Sequence, residues 1–139
     1  MNKELPKNIE AEKCLIGSMF WSNESLQKGC EEVEKEIFYL DSHAKIFEAI
    51  KSLYLNNTPV DITSLTTYLI SIDKINEVGG VEYLNEIVNS VATGANIEYY
   101  INLVSDKYTL RKMIEVATDI VNKATNQDNS AADTIDDAE

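Results

Sequence analysis

Residues Asn96 to Lys123, NIEYYINLVSDKYTLRKMIEVATDIVNK, decide the fold. Tyr100, Leu103, Lys107, Leu110, Ile114, Ala117, Val121 and Ala124 follow alternating steps of three and four, the spacing that keeps one stripe along one side of a helix. Ile101, Val104 and Tyr108, then Met113, Val116 and Ile120, fall beside it, so the apolar surface is wider than one packed seam requires. Asn96 is a suitable N-cap and no Gly or Pro interrupts the run, which predicts one helix of about 42 Å at 1.5 Å per residue. That is longer than a small globule needs, so part of it should project. Periodicity alone leaves open whether its remaining side is covered by its own domain or by another molecule.

The 139-residue chain suits one domain with a core of its own. Its 44% hydrophobic and 26% charged residues are ordinary for a globular protein, while five Gly and two Pro are too few for an all-β chain built on turns. A net charge of −12 makes the surface repel phosphate, so a protein partner is favoured over direct nucleic acid binding. Cys14 and Cys30 lack C-x-x-C spacing and neighbouring His, and read as buried free thiols in a reducing, cytoplasmic setting. The longest apolar run, Cys14 to Trp21, is far short of the ~20 residues that span a bilayer, and Glu4, Glu10 and Glu12 spoil a signal peptide. No membrane association is expected.

Along the chain, residues 1–7 form an arm ending at Pro6. Asn8 then caps a helix to about Trp21, and a second runs from about Glu24 to Glu34 after a break at Ser22 or Asn23. Ile37-Phe38-Tyr39-Leu40 has no second strand-like run to pair with and is read as an apolar connector plugging the core. Asp41 or Ser42 caps a third helix to about Leu55, closed by Asn56-Asn57-Thr58-Pro59, and Asp61 caps a fourth to about Ser71. After Gly79-Gly80 a short helix from Val81 to about Val91 gathers Val81, Leu84, Ile87, Val88 and Val91, and Ala92 to Ala95 is a hinge. Thr125 to Glu139 turns acidic and would not stay folded alone.

No constellation points to catalysis. His43 is the single histidine, and the bland reading is a ring that packs or bonds locally at a helix start. Gly79-Gly80 lacks the following Lys-Ser or Lys-Thr of a phosphate loop, and the many carboxylates read as solvated faces. Lys107, Arg111 and Lys112 are the one basic cluster on the long helix. Arg111 to Glu115 and Asp119 to Lys123 have i,i+4 spacing, which fits intrahelical pairing as well as recognition.

Taken together, the residues resemble the N-terminal domain of bacterial DnaB-type replicative DNA helicases. The resemblance begins at Leu5-Pro6, Asn8-Ile9-Glu10-Ala11-Glu12 and Gly17, and passes through Phe38-Tyr39, His43, Ile46-Phe47, Ala49-Ile50, Pro59-Val60-Asp61 and Leu65. It continues in Glu77-Val78-Gly79-Gly80, Tyr83-Leu84, Ala95 to Tyr100, Val104, Lys107, Leu110-Arg111, Ile114 and Ala117-Thr118. Ile37 stands where the family usually has an acid, and Val91-Ala92-Thr93-Gly94 where it often has proline, which bears on hinge rigidity.

The resemblance implies an all-α fold. It divides the chain into a flexible arm (1–7), a helical head of about five helices (8–95), a long first hairpin helix (96–124) and a polar acidic tail (125–139) that begins a truncated second hairpin helix. It implies a non-catalytic assembly and primase-docking domain that pairs with itself into the dimer and hexamer collar of the helicase, with the primase C-terminal domain and a helicase loader as partners. No cofactor belongs to this part; ATP and Mg belong to a motor domain downstream. By carry-over, Glu10, Tyr83, Arg111, Ile114 and Ile120 face primase, and Tyr100, Leu103, Leu110, Ile114, Ala117 and Val121 serve self-association. The competing readings are a small cytosolic hydrolase using His43, which needs a cleft for a small ligand, and a helix-turn-helix DNA binder, which needs a basic recognition helix.

Overall fold

The computed structural model describes residues 4–91 and 96–126, and among these it is helical with no strand. The elements are α1 (Ile9–Ser18), α2 (Asn23–Glu32), a 3-10 turn (Lys35–Ile37), α3 (Asp41–Leu55), α4 (Ile62–Ser71), α5 (Gly80–Val88) and α6 (Ile97–Thr125). The expected hinge at Ala92 to Ala95 and the acidic tail from residue 127 lie outside the described residues.

Most helix starts follow from local chemistry, because the first amides of a helix need an acceptor from outside it. Asn8 accepts from the Ala11 N–H at 2.9 Å, Ser22 from Ser25 at 3.0 Å, and Asn96 from Glu98 at 3.0 Å. Asp61 and Ser64 form a reciprocal capping box. The start of α3 corrects the expectation of an Asp41 or Ser42 cap: the helix begins at Asp41 behind Leu40, and no side chain of its own caps it.

Two ends also differ. The apolar run of α1 was expected to stay helical to Trp21, but α1 stops at Ser18, and Met19, Phe20 and Trp21 each donate to the carbonyl three residues back. The last helix of the head ends at Val88, short of Val91, and Val81 points outward while Leu84 and Ile87 are buried. Ser90 explains the stop: its hydroxyl bonds the Ile87 carbonyl at 2.6 Å and lies 3.3 Å from that of Lys13 on α1.

The core is assembled around α1, which packs against α2, α3, α5 and α6. Leu15, Ile16 and Met19 share one cluster with Ile46, Phe47 and Ile50 of α3, Leu65 and Leu69 of α4, and Leu84 and Ile87 of α5, all fully buried. The connector plugs this core through Phe38, whose ring centroid lies 5.5 Å from that of Phe47, with half-buried Ile37 packed beside it; Tyr39 stays outside. Helix α6 seats Ile97, Ile101 and Val104 on the head, with Tyr100 and Leu103 packed alongside, and Lys28 of α2 holds Glu98 at 2.8 Å. Among the described residues beyond Tyr108, only Arg111 and Lys123 are less than exposed. The 29-residue helix therefore carries a second half, roughly 25 Å long at 1.5 Å per residue, clear of its own core.

Two expectations follow. A Cβ on Gly17 would collide with the Ile87 carbonyl and lie 2.7 Å from the Ser90 hydroxyl, so Gly17→Ala should cost about 1–3 kcal/mol of stability by urea denaturation. Burial chiefly pushes the Cys30 thiol from 9.0 up to about 11, with Glu31 adding to the rise and Lys51 opposing it. The raised value stabilises the fold below about pH 9, a contribution lost as pH climbs toward 11. At pH 8 iodoacetamide should alkylate Cys30 about a hundredfold more slowly in the native protein than in urea, read by mass spectrometry.

Candidate protein interface

The most polar point of the interior lies where α1 meets the start of α3. Glu12 and His43 are both buried, and the Glu12 carboxylate accepts from the Tyr39 N–H at 2.7 Å, the Leu40 N–H at 3.4 Å and His43 Nδ1 at 2.8 Å. A buried carboxylate is tolerable only with such a full set of donors. The two amides belong to the residues just ahead of α3, whose own first turn carries Asp41. His43 Nε2 meets the Tyr83 hydroxyl at 2.5 Å, and the rings are nearly parallel at 3°. Burial foremost pushes the Tyr83 phenol up, with Glu86, Glu12 and Glu10 adding to the rise and Lys13 opposing it, so Tyr83 stays protonated and can donate. The arrangement is complete with the His43 proton on Nδ1, a tautomer assigned from the bonding pattern. The ring therefore bonds to a residue 31 positions away rather than locally, and with both nitrogens engaged and the residue 0% exposed it has no reach for substrate.

Outside this cluster, Lys13 ties α1 to α5. Its ammonium lies 3.2 Å from Glu86 and 3.7 Å from Glu10, and although burial works against the charge these carboxylates outweigh it. Glu10 and Tyr83 thus share one surface patch centred on Lys13.

Arg111 belongs to another. The expected Arg111–Glu115 pairing is replaced by Lys112–Glu115 at 3.2 Å, and the Arg111 guanidinium donates instead to the Pro6 carbonyl at 2.9 Å and the Ile37 carbonyl at 2.8 Å. It lies over the rings of Tyr39 and Tyr108, at 5.5 and 5.8 Å from their centroids. A planar fork can bridge two carbonyls in this way, and here it staples the N-terminal segment and the 3-10 turn to α6. Beside it Leu5, Phe38, Tyr39, Tyr108 and Ile114 line an open groove of about 650 Å³.

The free half of α6 has its polarity inverted relative to the seated half. At about 100° per residue, Ile97, Ile101, Val104 and Tyr108 lie along one side, and the same side continues as Arg111, Glu115, Asp119 and Asn122. Opposite the seated residues are Asn102, Asp106 and Thr109; further along, that opposite side becomes Leu110, Met113, Ala117, Ile120 and Ala124, flanked by Ile114, Val116 and Val121. No charge interrupts this apolar face, and Leu110, Met113, Ile114, Val116, Ile120 and Val121 are all 42–61% exposed. A contiguous apolar face of this kind marks an interaction surface. Ile120 lies within it and Ile114 on one flank, roughly 120° apart, and of the two Ile114 lines the groove. Of the self-association candidates, Leu110, Ile114, Ala117 and Val121 lie on this face, whereas Tyr100 and Leu103 pack against the head.

The family described as the DnaB-like helicase N-terminal domain matches residues 4–106. The chain belongs to that family. This DnaB-like domain is 39% identical over 134 residues to the replicative DNA helicase DnaC of Bacillus subtilis, covering 96% of this chain and 30% of that protein. It is 38% identical over 115 residues to the replicative DNA helicase DnaB of Geobacillus stearothermophilus, covering 83% and 25%. The chain thus spans under a third of the length of these relatives. Among solved structures, the N-terminal domain of DnaB helicase from Mycobacterium tuberculosis superposes with a TM-score of 0.89 at 27% identity, covering 97% of this chain and 94% of that one. A DnaB-like replicative helicase, solved to describe its interactions with primase, matches with a TM-score of 0.72 at 25% identity, covering 95% and 32%. The all-α fold and the replicative-helicase kinship read from the sequence both hold.

Within the DnaB-like domain, sequence reasoning missed Glu12 as a structural centre. Its signal was an acid in register with Leu15, Ile16 and Met19, the positions three, four and seven later that form the buried side of α1. The Arg111 staple had no local signal, since its acceptors lie 105 and 74 residues away. Arg111→Ala should lower stability by about 1.5–3 kcal/mol in urea melts, and Arg111→Lys should restore less than half of the loss, because an ammonium cannot fork between both carbonyls.

Proposed function

We propose that this chain is the non-catalytic N-terminal assembly and primase-docking domain of a replicative helicase that unwinds duplex DNA at the replication fork. The observation that carries the reading is the uncharged apolar face on the free half of α6, turned away from the head and large enough to need a partner. The kinship with replicative helicases, one of them solved to describe its interactions with primase, supports the same role. The division of labour follows the sequence reading: the head (8–95) carries the Glu10–Tyr83 patch and the long helix (96–124) offers the apolar face. The domain recruits and does not turn over substrate. It pairs with further copies into the dimer and hexamer collar, receives the primase C-terminal domain and a loader, and works in the cytoplasm; nucleotide and Mg serve a motor domain downstream. Among the described residues no helix is long and apolar enough to cross a membrane.

The five docking residues fall on separate surfaces, Glu10 and Tyr83 on the head and Arg111, Ile114 and Ile120 on α6, so primase engages more than one of them by spanning both. Ile120→Asp should weaken binding of the primase C-terminal domain more than Glu10→Ala, because an apolar anchor carries about 2 kcal/mol or more and an exposed charge about 1 or less. Titration calorimetry decides it, with circular dichroism as the control for folding; unchanged affinity of Ile120→Asp would remove this face from the docking surface. Sedimentation should show weak, concentration-dependent self-association that strengthens when the chain is extended past Glu139. A tight dimer at nanomolar concentration would show that pairing does not need the second arm. ATP turnover, or micromolar DNA binding with a steep salt slope, would overturn the reading altogether.

A further inference from the structure

The two surfaces are joined through the interior by a run of polar contacts that the backbone from Tyr39 to Ile37 completes. From Tyr83 on α5 the hydroxyl meets His43 Nε2 at 2.5 Å; His43 Nδ1 meets Glu12 Oε1 at 2.8 Å; Glu12 Oε2 accepts the Tyr39 N–H at 2.7 Å. Two residues before Tyr39, the Ile37 carbonyl accepts from Arg111 at 2.8 Å, and the Tyr39 ring itself lies under the same guanidinium. We propose that this run is a coupling device, through which a change in the hydrogen bonding of the Tyr83 hydroxyl alters how Arg111 is held on the head and hence how α6 is seated.

Three features make the run suited to transmitting a displacement. Its middle members, Glu12 and His43, are fully buried, so neither can exchange a lost partner for water, and losing one forces a shift rather than resolvation. Glu12 serves both ends with one rigid carboxylate, one oxygen toward His43 and the other toward Tyr39. The link between Glu12 and Arg111 is the 35–40 segment, a single 3-10 turn between extended residues, held by backbone bonds of 3.2 and 3.3 Å at Ile37 and Phe38. A protein partner whose polar group takes the Tyr83 hydroxyl away from His43 would be felt at the groove beside Arg111. The coupling itself does not depend on primase being that partner, since it is read in the isolated chain.

A double-mutant cycle tests it. Tyr83→Phe removes only the hydroxyl, and Arg111→Lys keeps the charge and removes the fork. If the run couples the two sites, the unfolding equilibrium constant of the double variant should depart from the product of the single effects by about fivefold or more, whereas independent sites stay within about twofold. In nitrogen-15 spectra of Tyr83→Phe, the Tyr39 and Leu40 amides and the Arg111 Nε–H should shift while the Asn102 and Asp106 amides on the far side of α6 stay in place. Effects that multiply within twofold, or Tyr39 and Arg111 resonances that do not move, overturn the proposal. The spectra stand alone should Arg111→Lys prove too unstable to melt.

Discussion

The Glu12 carboxylate is the constraint around which the head is arranged. A buried charge is tolerated only when its lone pairs are met by donors of fixed position, and Glu12 meets two backbone amides and an imidazole drawn from the start of α3. That requirement holds the 38–40 segment against α1, drives Phe38 into the core beside Phe47 and orients His43 toward Tyr83. It also places the acceptor for the two amides just ahead of α3, those of Tyr39 and Leu40, on α1, 27 and 28 residues earlier in the chain.

The second organising fact is the reversal of polarity along α6. A helix that kept its apolar residues on the seated side would end buried or fray; this one transfers them to the opposite side as it leaves the head, at Tyr108 to Leu110. Arg111 sits at the changeover and fixes the direction in which the free half departs, by bonding carbonyls from the N-terminal segment and the 3-10 turn. The head therefore sets the helix, and the helix presents a face that the head cannot cover. The proposed role in association is in keeping with a histidine whose nitrogens are both engaged inside the fold and with kinship to replicative helicases.

The sequence by itself determined the helices and the surplus of apolar surface on the last of them, because both rest on relations within one or two turns. Periods of three and four, caps such as Asn8, Asp61 and Asn96, and the break at Asn56-Asn57-Thr58-Pro59 act over fewer than about eight residues and can be read in order. The quoted family motifs added the kinship. Tertiary structure alone decided which side of α6 meets the head, that the Tyr39 and Leu40 amides ahead of α3 find their acceptor in Glu12, and that Arg111 bonds backbone rather than Glu115. Each of these depends on groups tens of residues apart, whose meeting is set by how four helices pack around α1. No local spacing encodes a donor and acceptor separated by 27, 31, 74 or 105 positions.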